Sequence, residues 1–180
     1  MRSGQAARRR RVAFAVLAFS GFMSADDPRF SHLDETGRAR MVDVSEKGVT
    51  RREARASCEV RLSPQTVARL AALPKGDAIA VARVAGIQAA KRTSDWIPLA
   101  HPLPLDRVDV EFETVDSGVR IVASVVATAR TGAEMEALVA CAAAALSLYD
   151  MVKAVERGAV IGELRLEAKS GGRSGDWTRD

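Results

Sequence analysis

Apolar and polar positions fall into a readable rhythm only from about residue 57 onward. "CEVRL" (58–62) alternates with the period of a half-buried strand. "SPQTVARLAAL" (63–73) offers Ser63 as an N-cap and Pro64 at the first helical position, so a helix is predicted to begin there. "PKGD" (74–77) breaks it. "DAIAVARVAGIQAAKRT" (77–93) predicts a second helix with Ile79, Val81, Ala82, Ala85 and Ala89 mostly buried. "IPLAHPLPL" (97–105) is predicted irregular, because Pro98, Pro102 and Pro104 remove donors and bias their predecessors toward extended geometry. "RVDVEFETV" and "GVRIVASVVATA" alternate on either side of Asp116-Ser117-Gly118, the pattern of a hairpin. "GAEMEALVACAAAALSLYDMVKAVER" (132–157) predicts a long buried helix, and "AVIGELRLEA" (159–168) a final strand.

The predicted order is β-α-α-β-β-α-β. With the two early helices acting as one interrupted crossover, this is the ferredoxin-like order: an α+β sandwich with helices on one face of an antiparallel sheet. Residues 57–180 are expected to form a single α+β domain with a flexible tail from about 170, preceded by an extended, polar arm over 23–56. Residues 1–22 have a basic start and a short apolar run from Val12 to Phe19, with no A-x-A site after it. The run is far short of the ~20 apolar residues that span a bilayer. The expectation is that translation begins at Met23 and that 1–22 is a non-native or disordered extension.

Composition changes this picture little. Hydrophobic residues at 47% and charged residues at 28% describe an ordinary globular chain, and 4% aromatics with abundant alanine imply close packing of small side chains. The formal charge of +4 is misleading: Arg2 and Arg8 to Arg11 are five of 27 basic residues, and without them 22 basic residues face 23 acidic ones. A nucleic-acid binder is disfavoured by that near-neutral domain and by strands that offer only Phe112 for stacking. Cys58 and Cys141 lack CxxC spacing, which argues against a zinc or disulfide framework. A cytoplasmic protein bound to neither nucleic acid nor membrane is expected.

The long helix keeps Glu134, Glu136, Asp150 and Lys153 among its apolar residues, and an unpaired buried charge costs several kcal/mol. Glu136 and Asp150 lie about 40° apart around the axis but ~21 Å apart along it. Lys153 follows Asp150 by three and can pair with it. The two carboxylates therefore serve opposite ends of a long ligand or separate copies of a site shared between chains; otherwise an Asp–Lys pair closes the helix, with Glu residues favoured at its N-terminus. His101 sits in a proline-locked loop, while His32 in the arm is given no role. "AKSGGRSGD" (168–176) is cationic and glycine-rich, suited to wrapping a phosphate or to being a loose tail, and is not a Walker A loop. Lys75, Lys91 and Arg92 read either as site cations or as turn and helix-end residues.

"MVDVS" (41–45), "PKGD", "ARVAGIQAAKRTSDWIPLAHPL" (82–103), "TGAEMEAL" (131–138), "LYDMVKA" (148–154) and "AKSGGRSGD" occur in this order. Together they closely resemble the cyclic pyranopterin monophosphate synthases, the C proteins of molybdenum cofactor biosynthesis, over roughly 41–177. That resemblance implies ferredoxin-like subunits that form dimers and then hexamers, with sites at subunit interfaces. It implies a phosphorus–oxygen lyase converting 3′,8-cyclo-7,8-dihydro-GTP, supplied by an upstream radical SAM GTP cyclase, into cyclic pyranopterin monophosphate and diphosphate. No resident cofactor is implied, although Mg²⁺ can accompany the triphosphate. Carried over by motif, Asp150, Lys75 and Lys153 are catalytic. Leu99, Ala100, His101, Glu134, Met135, Glu136 and Lys169 bind substrate. Ala100 stands where the family commonly has cysteine, which puts any thiol role in doubt. Such chemistry calls for lysine and carboxylate pKa values drawn toward neutrality by a dry pocket, and for cations such as Lys169, Arg173 and the basic end of the second helix at the phosphates.

Overall fold

The computed structural model describes residues 32–34 and 36–180. The leader 1–22 and the arm as far as residue 31 lie outside the described residues. Contacts divide the chain into Met1–Ala39 and Arg40–Asp180. In the first unit Leu33 and Ala39 form one antiparallel bridge, and the amides of Thr36 and Arg38 close a turn on the Asp34 carboxylate.

The second unit holds strands β1 (Thr50–Arg61), β2 (Leu105–Val115), β3 (Gly118–Ala129), β4 (Val160–Ser170) and β5 (Trp177–Thr178). Its helices are α1 (Pro64–Val67), α2 (Ala78–Ala90), α3 (Thr93–Trp96) and α4 (Glu134–Val152), with a 3₁₀ turn at Leu70–Ala72. The sheet order is β2-β3-β1-β4-β5 with every neighbouring pair antiparallel. This is the expected ferredoxin-like α+β arrangement, extended by β5.

The expectations need four corrections. β1 begins at Thr50, so Thr50–Ala56 belongs to the sheet and not to the arm. Its inward positions there are Ala54 and Ala56, both buried but too small to advertise an apolar stripe between Arg51, Glu53 and Arg55. The helix predicted over 63–73 survives as α1 and the 3₁₀ turn. Ser63 does cap it, its Oγ accepting from Thr66 N at 3.3 Å. Leu73 is extended because Pro74 follows it. In α2 the buried stripe is Ala78, Ala82, Gly86, Ala89 and Ala90, whereas Val81 is 45% exposed. The smallest residues face α4 because the two backbones nearly touch: a Cβ on Gly86 would sit 2.9 Å from Ala140 O. The tail does not trail off after 170. It turns back and pairs with β4 (Lys169 opposite Trp177), and Arg179 Nε donates to Leu166 O at 2.7 Å.

Elsewhere the pattern holds. β2 and β3 form the hairpin around Asp116–Ser117, and Gly118 (φ +143°) is required because a Cβ there would lie 2.2 Å from Val60 O. Residues 97–104 are irregular, entered through the unpredicted α3, whose Thr93 hydroxyl donates to Ala90 O at 3.0 Å. The core is one layer between helices and sheet: Ala54, Ala56, Cys58 and Val60 of β1, alternate residues Val119 to Ala129 of β3, and Ala137, Ala140, Cys141, Ala144, Leu148 and Val152 of α4. By length and composition α4 could cross a membrane, but it is the core helix of this layer. Cys58 and Cys141 meet inside that layer, the Cys58 thiol donating to Cys141 O at 3.5 Å.

Candidate active site

α2 and α4 run antiparallel, so each end of α4 meets a different part of the chain. At its C-terminal end, Lys153 is the C-cap residue and Asp150 lies one turn earlier. The connection before α2 makes a tight turn at Gly76 (φ +102°, N–H to Leu73 O at 2.8 Å) that delivers Lys75 to the same place. Lys75 Nζ donates to Asp150 O at 2.8 Å and to Asp150 Oδ2 at 3.0 Å, and Lys153 Nζ lies 2.6 Å from Asp150 Oδ1. Two ammonium groups at the negative end of a helix are also favoured by its dipole. Hydrogen bonding from Lys153, then from Lys75, holds the Asp150 carboxyl below its ordinary range, and Asp150 in turn raises Lys153. This corrects the expectation of values drawn toward neutrality. Within one chain the three side chains are 42–56% exposed, so pairing in water favours the Asp150 anion and the Lys153 cation, with little burial to oppose it.

At the N-terminal end the balance is reversed. Glu136 is 3% exposed, and burial, with repulsion from Glu134 as a lesser cause, pushes it up to about 7. Glu134 pairs with Lys169 of β4 at 3.7 Å, and Lys169 also donates to Ser174 Oγ. The segment between β4 and β5 is held as a loop: Gly171, Gly172 and Gly175 have positive φ, and Gly171 N donates to Asp176 Oδ1 at 3.0 Å. Arg52 enters from β1, a residue the sequence reading did not single out. Its Nη2 donates to Arg130 O at 3.2 Å, its buried Nε has no partner, and its guanidinium occupies the space a Cβ on Gly172 would need. The signal was available: Arg52 shares the strand parity of inward-facing Ala54 and Ala56, so it is an arginine on the apolar side of β1.

The loop bearing Leu99, Ala100 and His101 leaves from the N-terminal half of α4. Ile97, which packs with Ala89 of α2 and with Val139 and Ala143 of α4, anchors it, and Ala100 N donates to Ile97 O at 3.0 Å. All three residues are half-buried, as are Glu134 and Met135. Lys91 and Arg92 are exposed at the end of α2 nearby, and Arg173 is exposed in the glycine-rich loop. The N-terminal half of α4 thus carries Glu134, Met135 and Glu136, pairs Glu134 with Lys169, and anchors through Ile97 the loop that bears Leu99, Ala100 and His101. The predicted catalytic trio sits at the other end, ~21 Å away by helix rise. Two hollows of about 440 and 240 Å³ open near β2, and neither is lined by a candidate site residue. Among the described residues no group of three or more His, Cys, Asp or Glu is arranged to hold a metal ion.

The family model for MoaC matches residues 41–172, a span that includes both clusters and the start of the glycine-rich loop. The chain belongs to the MoaC family. Among curated relatives, the cyclic pyranopterin monophosphate synthase of Streptomyces coelicolor is 56% identical over 160 residues, covering 87% of this chain and 94% of its own. Cyclic pyranopterin monophosphate synthase 2 of Mycobacterium tuberculosis is 54% identical over 162 residues, covering 89% and 97% respectively. The enzyme of that name from a Roseiflexus species is 56% identical over 154 residues, covering 83% and 98%. Within this MoaC chain both cationic ends of α4 fall inside the matched region, so neither is an appendage to the family's common domain.

Proposed function

We propose that this MoaC-family chain is a cyclic pyranopterin monophosphate synthase of molybdenum cofactor biosynthesis. It converts 3′,8-cyclo-7,8-dihydro-GTP to cyclic pyranopterin monophosphate and diphosphate, which makes it a phosphorus–oxygen lyase. The observation that carries this reading is identity of 54–56% to relatives of that name along nearly their whole length.

The site is assembled from two chains in this proposal. The Lys75–Asp150–Lys153 end of one α4 closes over the Glu136 end of another, in a dimer that repeats to a hexamer. Opening and reclosing a purine-derived ring needs successive proton transfers, and Glu136 at about 7 is suited to exchange protons near neutral pH. Asp150 held between two lysines supplies the complementary groups. Covering by a partner would shut bulk water away from the trio. Lys169, Arg52, Arg173 and the amides of the glycine-rich loop hold the triphosphate and stabilise charge on the departing diphosphate, with Lys91 and Arg92 as flanking cations. Leu99, Ala100, His101 and Met135 shape the pocket for the ring, with Ala100 contributing backbone and no thiol. No resident cofactor is invoked, and Mg²⁺, where required, arrives with the triphosphate. The substrate comes from an upstream radical SAM GTP cyclase, and the protein works in the cytoplasm.

The direct test is incubation of purified protein with enzymatically generated cyclo-dihydro-GTP. Stoichiometric cyclic pyranopterin monophosphate and diphosphate are expected; intact substrate after prolonged incubation with soluble, folded protein would reject the proposal.

A further inference from the structure

Between the end of β1 and the start of α2 the chain has little regular structure to fix it. It contains the single turn α1, the 3₁₀ turn and the Pro74–Gly76 bend, and its deepest apolar anchors are Leu70 and Leu73. Yet this segment must place Lys75 within hydrogen-bonding reach of Asp150. Lysine carries its charge on a flexible four-carbon stem, so where the ammonium settles depends on where the backbone is held.

One carboxylate holds the near end of that segment. Ser63 N donates to Glu156 Oε1 at 3.0 Å and Oε2 at 3.1 Å, and Ser63 Oγ donates to Glu156 Oε2 at 3.0 Å. Ser63 is itself the N-cap of α1, so the clamp is transmitted directly into the helical turn. On the other side Glu156 is tied to α4: its N–H donates to Val152 O at 2.9 Å, in the same run of turns that carries Lys153. The Ser63 clamp and the Lys75–Asp150 pair therefore bracket the segment, both of them on the C-terminal end of α4.

We propose that Glu156 is a positioning residue for Lys75: by clamping Ser63 to the end of α4, it sets where the Lys75 ammonium meets Asp150. Glu156 touches neither member of that pair in the contacts described; its partners are Ser63 and the Thr66 side chain, and it acts through the segment between Ser63 and Gly76. The inference rests on the functional reading above, in which Lys75 and Asp150 handle protons.

The test compares wild type, Glu156→Ala, Glu156→Gln, Lys75→Ala and the Lys75→Ala/Glu156→Ala double variant. Glu156→Ala is expected to lower kcat about ten-fold, as modest misplacement of a catalytic group does. KM should stay within about two-fold. Glu156→Gln, which keeps an acceptor for Ser63 N, should recover most of the loss. In the Lys75→Ala background Glu156→Ala should cost nothing more, since there is no ammonium left to place. An equal fold-loss in both backgrounds would mean general loosening and would overturn the inference, as would unchanged kcat in Glu156→Ala. Hydrogen exchange over Pro64–Gly76 gives a readout independent of turnover. It should accelerate in Glu156→Ala, and unchanged exchange would overturn the clamp even if wild type shows no turnover, a result that would separately reject the function.

Discussion

Glu136 and Asp150 are both carboxylates on α4, yet their surroundings push them in opposite directions. Asp150 is exposed between two ammonium groups and is stabilised as an anion, while Glu136 is buried and raised to about 7. For Glu136 the folded pKa lies above the unfolded value of 4.5, so the native state binds more protons between those limits. Stability therefore falls as pH rises from about 4.5 to about 7 and is lowest above that window. Glu136→Gln should remove the penalty: in urea melts the variant should gain up to about 3 kcal/mol over wild type at pH 8 and little at pH 4. At the other end, Asp150→Ala or Lys153→Ala should each reduce turnover at least ~100-fold in steady-state assays, the low end for a proton-transfer group. Turnover close to wild type with either change would remove that residue from the mechanism. The sequence identified all these residues. It could not show which carboxylate would be raised, because burial depends on what α4 lies against.

At the level of elements, packing of small residues is what fixes the geometry. Gly86 lets α2 approach α4 so closely that Gly86→Ala would press a methyl group to 2.9 Å from Ala140 O and 3.2 Å from Val110 Cγ2. Alanine gains about 1 kcal/mol of helix propensity over glycine, but overpacking typically costs about 1–3 kcal/mol. A net loss in denaturant midpoint is expected, with Gly158→Ala, which meets nothing within 4 Å, as a near-neutral control. The alternating strands and the hairpin were legible because large apolar residues mark them, and the long helix because its apolar run is unbroken by Gly or Pro over 19 residues. β1 before Cys58 was not, since its inward face is alanine. The register shift in β4, where Glu163 adopts φ +53° between Gly162 and Arg165, also has no sequence signal.

For the whole molecule, the separation of the two ends of α4 is the decisive dimension. A helix cannot fold back on itself, so no single chain can bring Glu136 and Asp150 to one small substrate. If two chains share each site, mixing an inactive Glu136 variant with an inactive Asp150 variant should restore part of the activity once subunits exchange. Absence of rescue after exchange has been verified by mass spectrometry would argue against a shared site.

The order of the main elements and the ~21 Å span between the carboxylates follow from the sequence alone, because periodicity, capping and helix rise are local properties, while the candidate residues come from the motifs shared with the family. Only tertiary structure could decide the rest. Long-range packing places the His101 loop and Lys169 against the N-terminal half of α4 and Lys75 at its C-terminal end. It buries Glu136 while leaving Asp150 in water, and it folds the glycine-rich segment back along β4. Burial and pairing set the charge on an ionisable group, and both are properties of what surrounds it in space.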